Sequence, residues 1–161
     1  MRLIAVVAVL SFALDQASKW LVVERMGLYE RGQIDVWPPF LRFVMGWNQG
    51  INFGVLSSDT DVTRWGLIAL SLAISAGVIW WVRRRGDVWS LIGAGLVVGG
   101  ALGNVVDRVR YGAVADFLNM SCCGLDNPYV FNVADIAIFA GAGILILFGG
   151  EARPAARGGR R

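Results

Sequence analysis

The amino-acid sequence predicts an all-α membrane protein with four transmembrane helices and a small β element on the outer side of the membrane. Composition, the length of the apolar stretches and the placement of arginine lead to this fold class. Hydrophobic residues make up 56% of the 161 residues and charged residues 17%, and the mean hydropathy is +0.57. Soluble globular proteins usually carry about 25% charged residues, and disordered chains contain few apolar ones. Both of those classes are therefore excluded.

Four apolar stretches approach or exceed the length needed to cross a bilayer, whose ~30 Å hydrocarbon core requires about 20 helical residues. They are residues 3–23, 65–82, 88–106 and 129–150. The first contains Asp15 and Lys19, the fourth contains Asp135, and the third repeats glycine every four residues from Gly95 to Gly103, which is typical of close helix packing. A cleaved signal peptide is the alternative for the first stretch. It is set aside because the apolar run is long and no small-x-small cleavage pattern follows.

Basic residues predict the orientation of these spans. Residues 1–2, 83–87 and 151–161 carry eight of the 15 Lys and Arg residues, whereas the longer loops 24–64 and 107–128 together carry six. Short cytoplasmic loops carry an excess of Lys and Arg, so we expect both termini and the 83–87 turn in the cytoplasm. Residues 1–150 then form one integral-membrane domain, and residues 151–161 form a basic cytoplasmic tail.

The first long loop is expected to contain the β element. Residues 41–45 alternate like a short strand, and they follow the rigid aromatic turn Trp37-Pro38-Pro39-Phe40. Residues 48–54 contain two glycines and two asparagines, a composition typical of tight turns. We therefore place a small β element against the outer membrane surface.

The composition also excludes several kinds of active site. The chain has no histidine, which excludes His-dependent hydrolysis and His-ligated zinc or haem. Its two cysteines, Cys122 and Cys123, are adjacent; they fit two apolar loop residues, with a strained disulfide as the alternative. An enzyme with this sequence must use carboxylates, Lys, Ser or Tyr, and we expect neither a metal nor a cofactor. A formal charge of only +3 does not indicate nucleic-acid binding.

Polar residues of three spans are expected to converge at one depth. At 1.5 Å per residue, Asp15 and Lys19 lie about 18 and 24 Å from the cytoplasmic start of their span, and Asn104 about 24 Å along its own. The fourth span enters from outside, which puts Asp135 about 9 Å past its start at residue 129. All four residues thus fall in the outer half of the bilayer. Ionisable groups at such depth usually face a bundle interior or a wet cavity, so one shared site is predicted.

Several of these residues also have a purely structural interpretation. Asp15 and Lys19, four residues apart, can neutralise each other as an ion pair on one helix face. Asn104, Asp107 and Arg108 lie at the outer end of the third span, where they can cap the helix and extend towards the headgroups. The sequence pattern alone is compatible both with these structural roles and with a role in the shared site.

Asp135 is harder to explain as a structural residue. It is the only charge in its span and has no basic residue three or four positions away, and a lone carboxylate in a membrane indicates a functional site. The adjoining loop offers Asp107, Asp116 and Asp126 as partners. Asp116 lies in an apolar segment, whereas Asp126 resembles a turn residue. Two neighbouring carboxylates share one proton, so one can activate water while the other protonates a carbonyl oxygen.

Five motifs, in order along the chain, resemble those of the lipoprotein signal peptidase (type II signal peptidase) family. They are Asp15-Gln16-Ala17-Ser18-Lys19, Asn48-Gln49-Gly50-Ile51-Asn52-Phe53-Gly54, the segment from Gly99 to Arg108, Gly112-Ala113-Val114-Ala115-Asp116-Phe117, and Phe131-Asn132-Val133-Ala134-Asp135. The resemblance implies an intramembrane aspartic endopeptidase of the bacterial plasma membrane. Such an enzyme removes the signal peptide from diacylglyceryl-modified prolipoproteins, just before the lipidated cysteine. The resemblance also implies an extracytoplasmic β-sheet cradle between helices 1 and 2.

The resemblance further implies a role for each matching residue. Asp116 and Asp135 match the catalytic pair, and Asp15 and Lys19 match a polar pair that supports the site. The residues that match positions shaping the site or contacting the substrate are Asn48, Gly54, Asn104, Asp107, Arg108, Asn132 and Ala134. Asn52 departs from the family pattern, in which a small residue usually precedes Phe-Gly. The expected partners are the lipid-modified prolipoprotein and membrane phospholipid, and the chain is expected to act as a monomer without nucleic acid.

Two other classes of function are considered. A transporter would use Asp15, Lys19 and Asp135 as a proton or ion relay, but the cytoplasmic half of all four spans is apolar. A non-catalytic scaffold would pack through the glycine repeat, and it would tolerate Asp116→Asn and Asp135→Asn.

Overall fold

The computed structural model describes residues 1–50, 60–84, 87–122 and 127–149. These residues form a helical bundle with a small antiparallel sheet at one end, as the composition and the loop pattern predicted. The helices are α1 Arg2–Lys19, continued by the π-helical segment Trp20–Arg25, then α2 Leu28–Arg31, α3 Thr60–Val82, α4 Val88–Tyr111 and α5 Val133–Phe148. The strands are β1 Gln33–Trp37, β2 Leu41–Asn48 and β3 Val114–Met120.

In the described part of the chain, three helical segments are long and apolar enough to span a membrane: Arg2–Arg25, Asp61–Val82 and Val88–Tyr111. They contain the predicted spans 3–23, 65–82 and 88–106 and reach about 33–36 Å at 1.5 Å per residue. The chain is therefore a transmembrane protein. The predicted third span ends too early, because α4 continues for five residues past Val106 and includes Asp107 and Arg108 as helical residues.

The fourth apolar helix, α5, begins at Val133 and not at residue 129 as predicted. Residues before it are extended, because Phe131 pairs with Leu118 through N–H···O bonds of 3.0 and 2.8 Å in the two directions. Asn132 caps the helix: its side chain accepts from the Asp135 N–H, and the Asp135 side chain accepts from the Asn132 N–H. Asp135 therefore lies in the first turn of α5, at the edge of the bundle, and not a third of the way along a span.

The sheet has the order β1-β2-β3, with both pairs antiparallel. The strand predicted at residues 41–45 is confirmed as part of β2. The predicted location of the sheet between the first two spans holds for β1 and β2, whereas β3 comes from the connection between α4 and α5. The segment β3 joins because its apolar side chains are buried by the fold, with Phe117 1% exposed and packed with Val22 and Leu28.

Helix α4 is the centre of the bundle, and its glycines let two neighbouring helices approach closely. A Cβ atom on Gly95 would lie 2.6 Å from the Val7 Cβ of α1. On another side of α4, a Cβ on Gly93 would lie 2.9 Å from the Gly141 carbonyl oxygen of α5. The predicted packing role of the glycine repeat is therefore confirmed, and further glycines serve the contact with α5.

Two glycines of α5 allow this packing to be tested. Gly141 faces α4, where a Cβ would meet the Gly93 carbonyl oxygen at 2.6 Å, whereas a Cβ on Gly143 would meet nothing within 4 Å. We expect Gly141→Ala to lower the free energy of unfolding by about 1–3 kcal/mol through overpacking. Gly143→Ala should leave it unchanged or slightly higher, because alanine loses less entropy in a helix. Thermal unfolding in detergent measures both, and equal midpoints would contradict the packing assignment.

Candidate active site

Asp116 of β3 and Asp135 of α5 meet around the side chain of Asn132. The Asn132 Nδ2 donates to Asp116 Oδ1 at 2.6 Å, and the Asn132 backbone N–H donates to Asp135 Oδ2 at 3.2 Å. Asn132 is fully buried and Asp116 is 3% exposed, while Asp135 is half-buried. The structure thus brings together the two carboxylates that the sequence singled out, although they belong to different elements.

Two further asparagines complete the hydrogen bonds of this pair. Asn48 Nδ2 donates to Asp116 Oδ2 at 3.1 Å, and Asn104 Nδ2 donates to Asp135 Oδ1 at 3.0 Å. Asn104 in turn accepts from Asn132 Nδ2 at 3.1 Å. All four carboxylate oxygens therefore accept hydrogen bonds from neutral amides, and no Lys or Arg among the described residues forms an ion pair with either aspartate.

This environment changes the acidity of Asp116. Burial, followed by repulsion from the charge on Asp135, raises the pKa of Asp116 from 3.8 to about 6. Hydrogen bonds from Asn48 and Asn132 favour the ionised form and oppose the shift. Asp116 therefore holds a proton in a pH range where an ordinary aspartate is ionised.

A buried ion triad lies beside the pair. Lys19 Nζ of α1 is 2.8 Å from Asp15 Oδ2 and 2.7 Å from Asp107 Oδ2. All three side chains are buried, with Asp15 0% and Asp107 1% exposed. The predicted Asp15–Lys19 ion pair is confirmed. The alternative that Asp107 caps the helix end at the membrane surface is wrong, because α4 continues past it and turns its carboxylate inwards.

The triad positions the backbone next to both aspartates. Asp107 Oδ2 accepts from the Ala115 N–H at 3.1 Å, one residue before Asp116. Asp15 Oδ1 accepts from the Ala134 N–H at 2.9 Å, one residue before Asp135. Asp15 and Asp107 thus act on the site through backbone N–H groups, and Lys19 holds their two carboxylates together.

Arg108 and Gln16 complete the site within the described part of the chain. Arg108 is half-buried, and its charge interacts with Asp135, Asp116 and Asp107. Gln16 was missed as a site residue, yet its Nε2 donates to Asp15 Oδ2 at 3.1 Å and to Asp107 Oδ1 at 3.2 Å. The sequence feature that could have indicated Gln16 is its position as a polar residue beside Asp15 in an otherwise apolar span.

Some sequence predictions cannot be placed on this site. The residues concerned, which lie outside the described ones, are Asn52, Gly54, Cys123 and Asp126. In the described ranges, no group of three or more His, Cys, Asp or Glu side chains is arranged to hold a metal ion. What the site does contain is two carboxylates in a ring of neutral amides, an arrangement suited to proton transfer.

Comparison with known proteins identifies the family. A family model described as signal peptidase (SPase) II matches residues 7–149. The chain belongs to the signal peptidase II family. The resemblance drawn from the five motifs is thereby confirmed, and family membership makes the chain a protease.

Known proteins match this signal peptidase II family member over most of its length. It is 45% identical over 158 residues to the lipoprotein signal peptidase of Methylorubrum extorquens (strain PA1), covering 96% of this chain and 87% of that protein. It is 38% identical over 139 residues to the lipoprotein signal peptidase of Sphingopyxis alaskensis, covering 86% and 80% respectively. A solved structure described as a bacterial membrane enzyme superposes with a TM-score of 0.73 at 26% identity, covering 89% of this chain and 85% of that one.

The triad predicts a large stability effect at Lys19. Lys19→Met would leave two buried carboxylates without their cation, and we expect the free energy of unfolding to fall by about 3–5 kcal/mol. The matched control is Arg42→Met, which breaks the partly exposed Arg42–Asp35 pair at 3.6 Å and should cost about 0–1 kcal/mol. Thermal or denaturant unfolding in detergent compares the two variants. Similar losses for both would show that the triad does not hold the site together.

The raised pKa of Asp116 predicts a pH dependence of stability. Its pKa is about 6 when folded against an ordinary value of 3.8, so the folded state binds more protons between these values and loses stability as pH rises through them. The variant Asp116→Asn lacks this titration. We expect its melting temperature, relative to the parent protein, to increase from about pH 4 to about pH 6 and then to level off. A pH-independent difference between the two proteins would contradict the assignment.

Proposed function

We propose that this chain is an intramembrane aspartic endopeptidase that removes signal peptides from diacylglyceryl-modified prolipoproteins, cutting just before the lipidated cysteine. One observation carries the proposal: Asp116 and Asp135 share Asn132, and each of their oxygens accepts a hydrogen bond from a neutral amide. The names of the relatives, lipoprotein signal peptidases, support the substrate class. The carboxylate pair supports the aspartic mechanism.

In the proposed mechanism, Asp116 holds the shared proton and Asp135 acts as the base. This assignment follows from burial, since Asp116 is 3% exposed whereas Asp135 is half-buried and reachable by water. Asp135 removes a proton from water as the oxygen attacks the scissile carbonyl carbon, and Asp116 protonates the carbonyl oxygen. The resulting gem-diol collapses when Asp135 protonates the departing amide nitrogen and one hydroxyl returns its proton to Asp116. Water and the two carboxylates supply every proton of this cycle, so no cofactor is required.

The proposed placement in the bilayer makes α5 the fourth span. Its 16 residues cover about 24 Å of a ~30 Å core. Exposed Trp20 and Trp65 lie at the sheet end of the bundle and exposed Trp80 and Trp89 at the other, as expected for the two membrane interfaces. Arg83 and Arg84 follow α3 at the end away from the sheet. Short basic loops are typical of the cytoplasmic side, so this end of the bundle is placed on the cytoplasmic side of the bacterial plasma membrane.

This placement brings the carboxylate pair close to the outer headgroups, where a lipid-bearing cysteine can present its peptide bond while its acyl chains stay in hydrocarbon. An extended substrate backbone carries amides that need partners in this apolar setting. Asn48 and Arg108 are polar groups beside the pair that can provide them. The carboxylates and the asparagines that orient them come from one chain, so a monomer surrounded by membrane phospholipid would contain a complete site.

The proposal predicts that either carboxylate is indispensable. Asp116→Asn and Asp135→Asn keep side-chain size but remove the acid–base function, so we expect cleavage of a lipidated prolipoprotein to fall by about 10²–10⁴-fold or more. Asp35→Asn, which removes an exposed carboxylate on β1, is the matched control and should keep full activity. Gel separation of precursor from product in detergent measures the rate, and thermal unfolding confirms that each variant is folded. Near-normal cleavage by either folded variant would overturn the proposed mechanism.

A further inference from the structure

A cavity lies on the face of the sheet opposite to Asp116. Neighbouring residues of a strand point to opposite faces, so Asp116 and Ala115 face opposite ways, as do Asn48 and Trp47. Ala115 and Trp47, which pair across β2 and β3, line a cavity of about 870 Å³. Neither Asp116 nor Asp135 is among its lining residues. The cavity therefore does not contain the carboxylate pair, although it borders the ion triad.

Aromatic rings form much of its wall, and we call it the aromatic cavity after Trp20, Tyr29, Trp47 and Tyr111. The ring of Trp47 lies 6.3 Å from that of Tyr29 and 5.5 Å from that of Tyr111, centroid to centroid. All four side chains remain exposed, from 40% for Trp47 to 66% for Tyr29. Trp and Tyr gather at the headgroup level of membranes, and their ring faces attract organic cations.

The charges of the cavity have a zwitterionic pattern. Glu24 and Glu30 line it, and neither takes part in an ion pair within the described ranges. Arg110 also lines it, with its guanidinium 5.4 Å from the Tyr111 ring and likewise without a carboxylate partner among those residues. Two carboxylates beside aromatic rings suit an ammonium group, and one guanidinium suits a phosphate.

The floor of the cavity connects it to the ion triad. Gln16, Lys19 and Asp107 line it, and Lys19 is already held between Asp15 and Asp107. The floor therefore adds no unpaired cation that would repel an ammonium group. The triad is already buried, with Asp15 0% and Asp107 1% exposed, so it forms a neutralised base beneath an occupant.

We propose that the aromatic cavity binds the ammonium-bearing headgroup of a zwitterionic phospholipid. The ammonium lies against Glu24, Glu30 and the aromatic wall, and the phosphate lies at Arg110. The volume accommodates a headgroup with its glycerol, since ligand cavities commonly measure about 300–1,000 Å³. Binding stabilises the folded enzyme whether or not the carboxylate pair acts as the proposed peptidase.

The first test uses the full-length parent protein in detergent. Its melting temperature is followed while short-chain phosphatidylethanolamine, phosphatidylcholine or phosphatidylglycerol with identical acyl chains is added. The two ammonium lipids should raise the midpoint in a saturable way, because a ligand that binds only the folded state stabilises it. Phosphatidylglycerol, which lacks the ammonium, should give little or no shift. An equal shift with phosphatidylglycerol, or none with either ammonium lipid, would overturn the proposal.

The second test locates the site and the source of the ligand. The double variant Glu24→Gln/Glu30→Gln should bind the ammonium lipids about tenfold or more weakly, while Asp35→Asn, an exposed carboxylate outside the cavity, should bind them normally. Both variants should cleave substrate at the parental rate in lipid-free detergent, which separates this result from a failure of the peptidase proposal. Unchanged lipid affinity in the double variant would refute the site. Glycerophosphoethanolamine carries the same charged groups without acyl chains and should bind more weakly, because only the lipid is concentrated in the micelle around the protein; equally tight binding would refute a membrane source.

Discussion

The interaction on which this structure depends is the buried ion triad of Asp15, Lys19 and Asp107. Desolvating three charges is costly unless they are well paired, and here the Lys19 ammonium contacts both carboxylates at 2.7–2.8 Å. Their remaining lone pairs bind the Gln16 amide and the backbone N–H groups of Ala115 and Ala134. One cluster thereby joins α1 and α4 to the first residues of β3 and α5. Because these are the segments that carry Asp116 and Asp135, the geometry of the pair follows from the triad.

The site keeps Lys19 apart from the carboxylates that would carry out catalysis, and Arg108 forms no ion pair with either of them among the described residues. A cation bonded directly to Asp116 or Asp135 would favour ionisation, and an ionised pair could not donate a proton to a carbonyl oxygen. Lys19 acts on Asp116 only weakly and from a distance, whereas burial and the charge of Asp135 dominate and raise the pKa of Asp116 to about 6. Neutral asparagines can hold the carboxylates in place without fixing their charge. The charged groups of the triad therefore anchor the backbone, and the neutral asparagine amides orient the two carboxylates.

The same arrangement argues against the other functions considered for this chain. A proton or ion relay needs groups that can exchange their partners, yet Lys19 is held between two carboxylates and Asp15 also binds the backbone of α5. A scaffold needs only packing, which the glycines of α4 provide, and it has no use for two neighbouring carboxylates ringed by three asparagines. Membership of the signal peptidase II family agrees with the site.

The sequence by itself determined the features that depend on local pattern. Hydropathy over about 20 residues located α1, α3 and α4, alternation located part of β2, and the four-residue spacings indicated the Asp15–Lys19 pair and the glycine repeat. The five motifs also pointed to the right family and to Asp116 and Asp135 as candidates. Only the tertiary structure decided that β3 joins the sheet, that α5 begins at Val133 and that Asp107 turns inwards. Those outcomes depend on contacts between distant residues, such as the bond from Ala134 to Asp15 across 119 positions, and hydropathy and spacing describe only a residue's near neighbours along the chain.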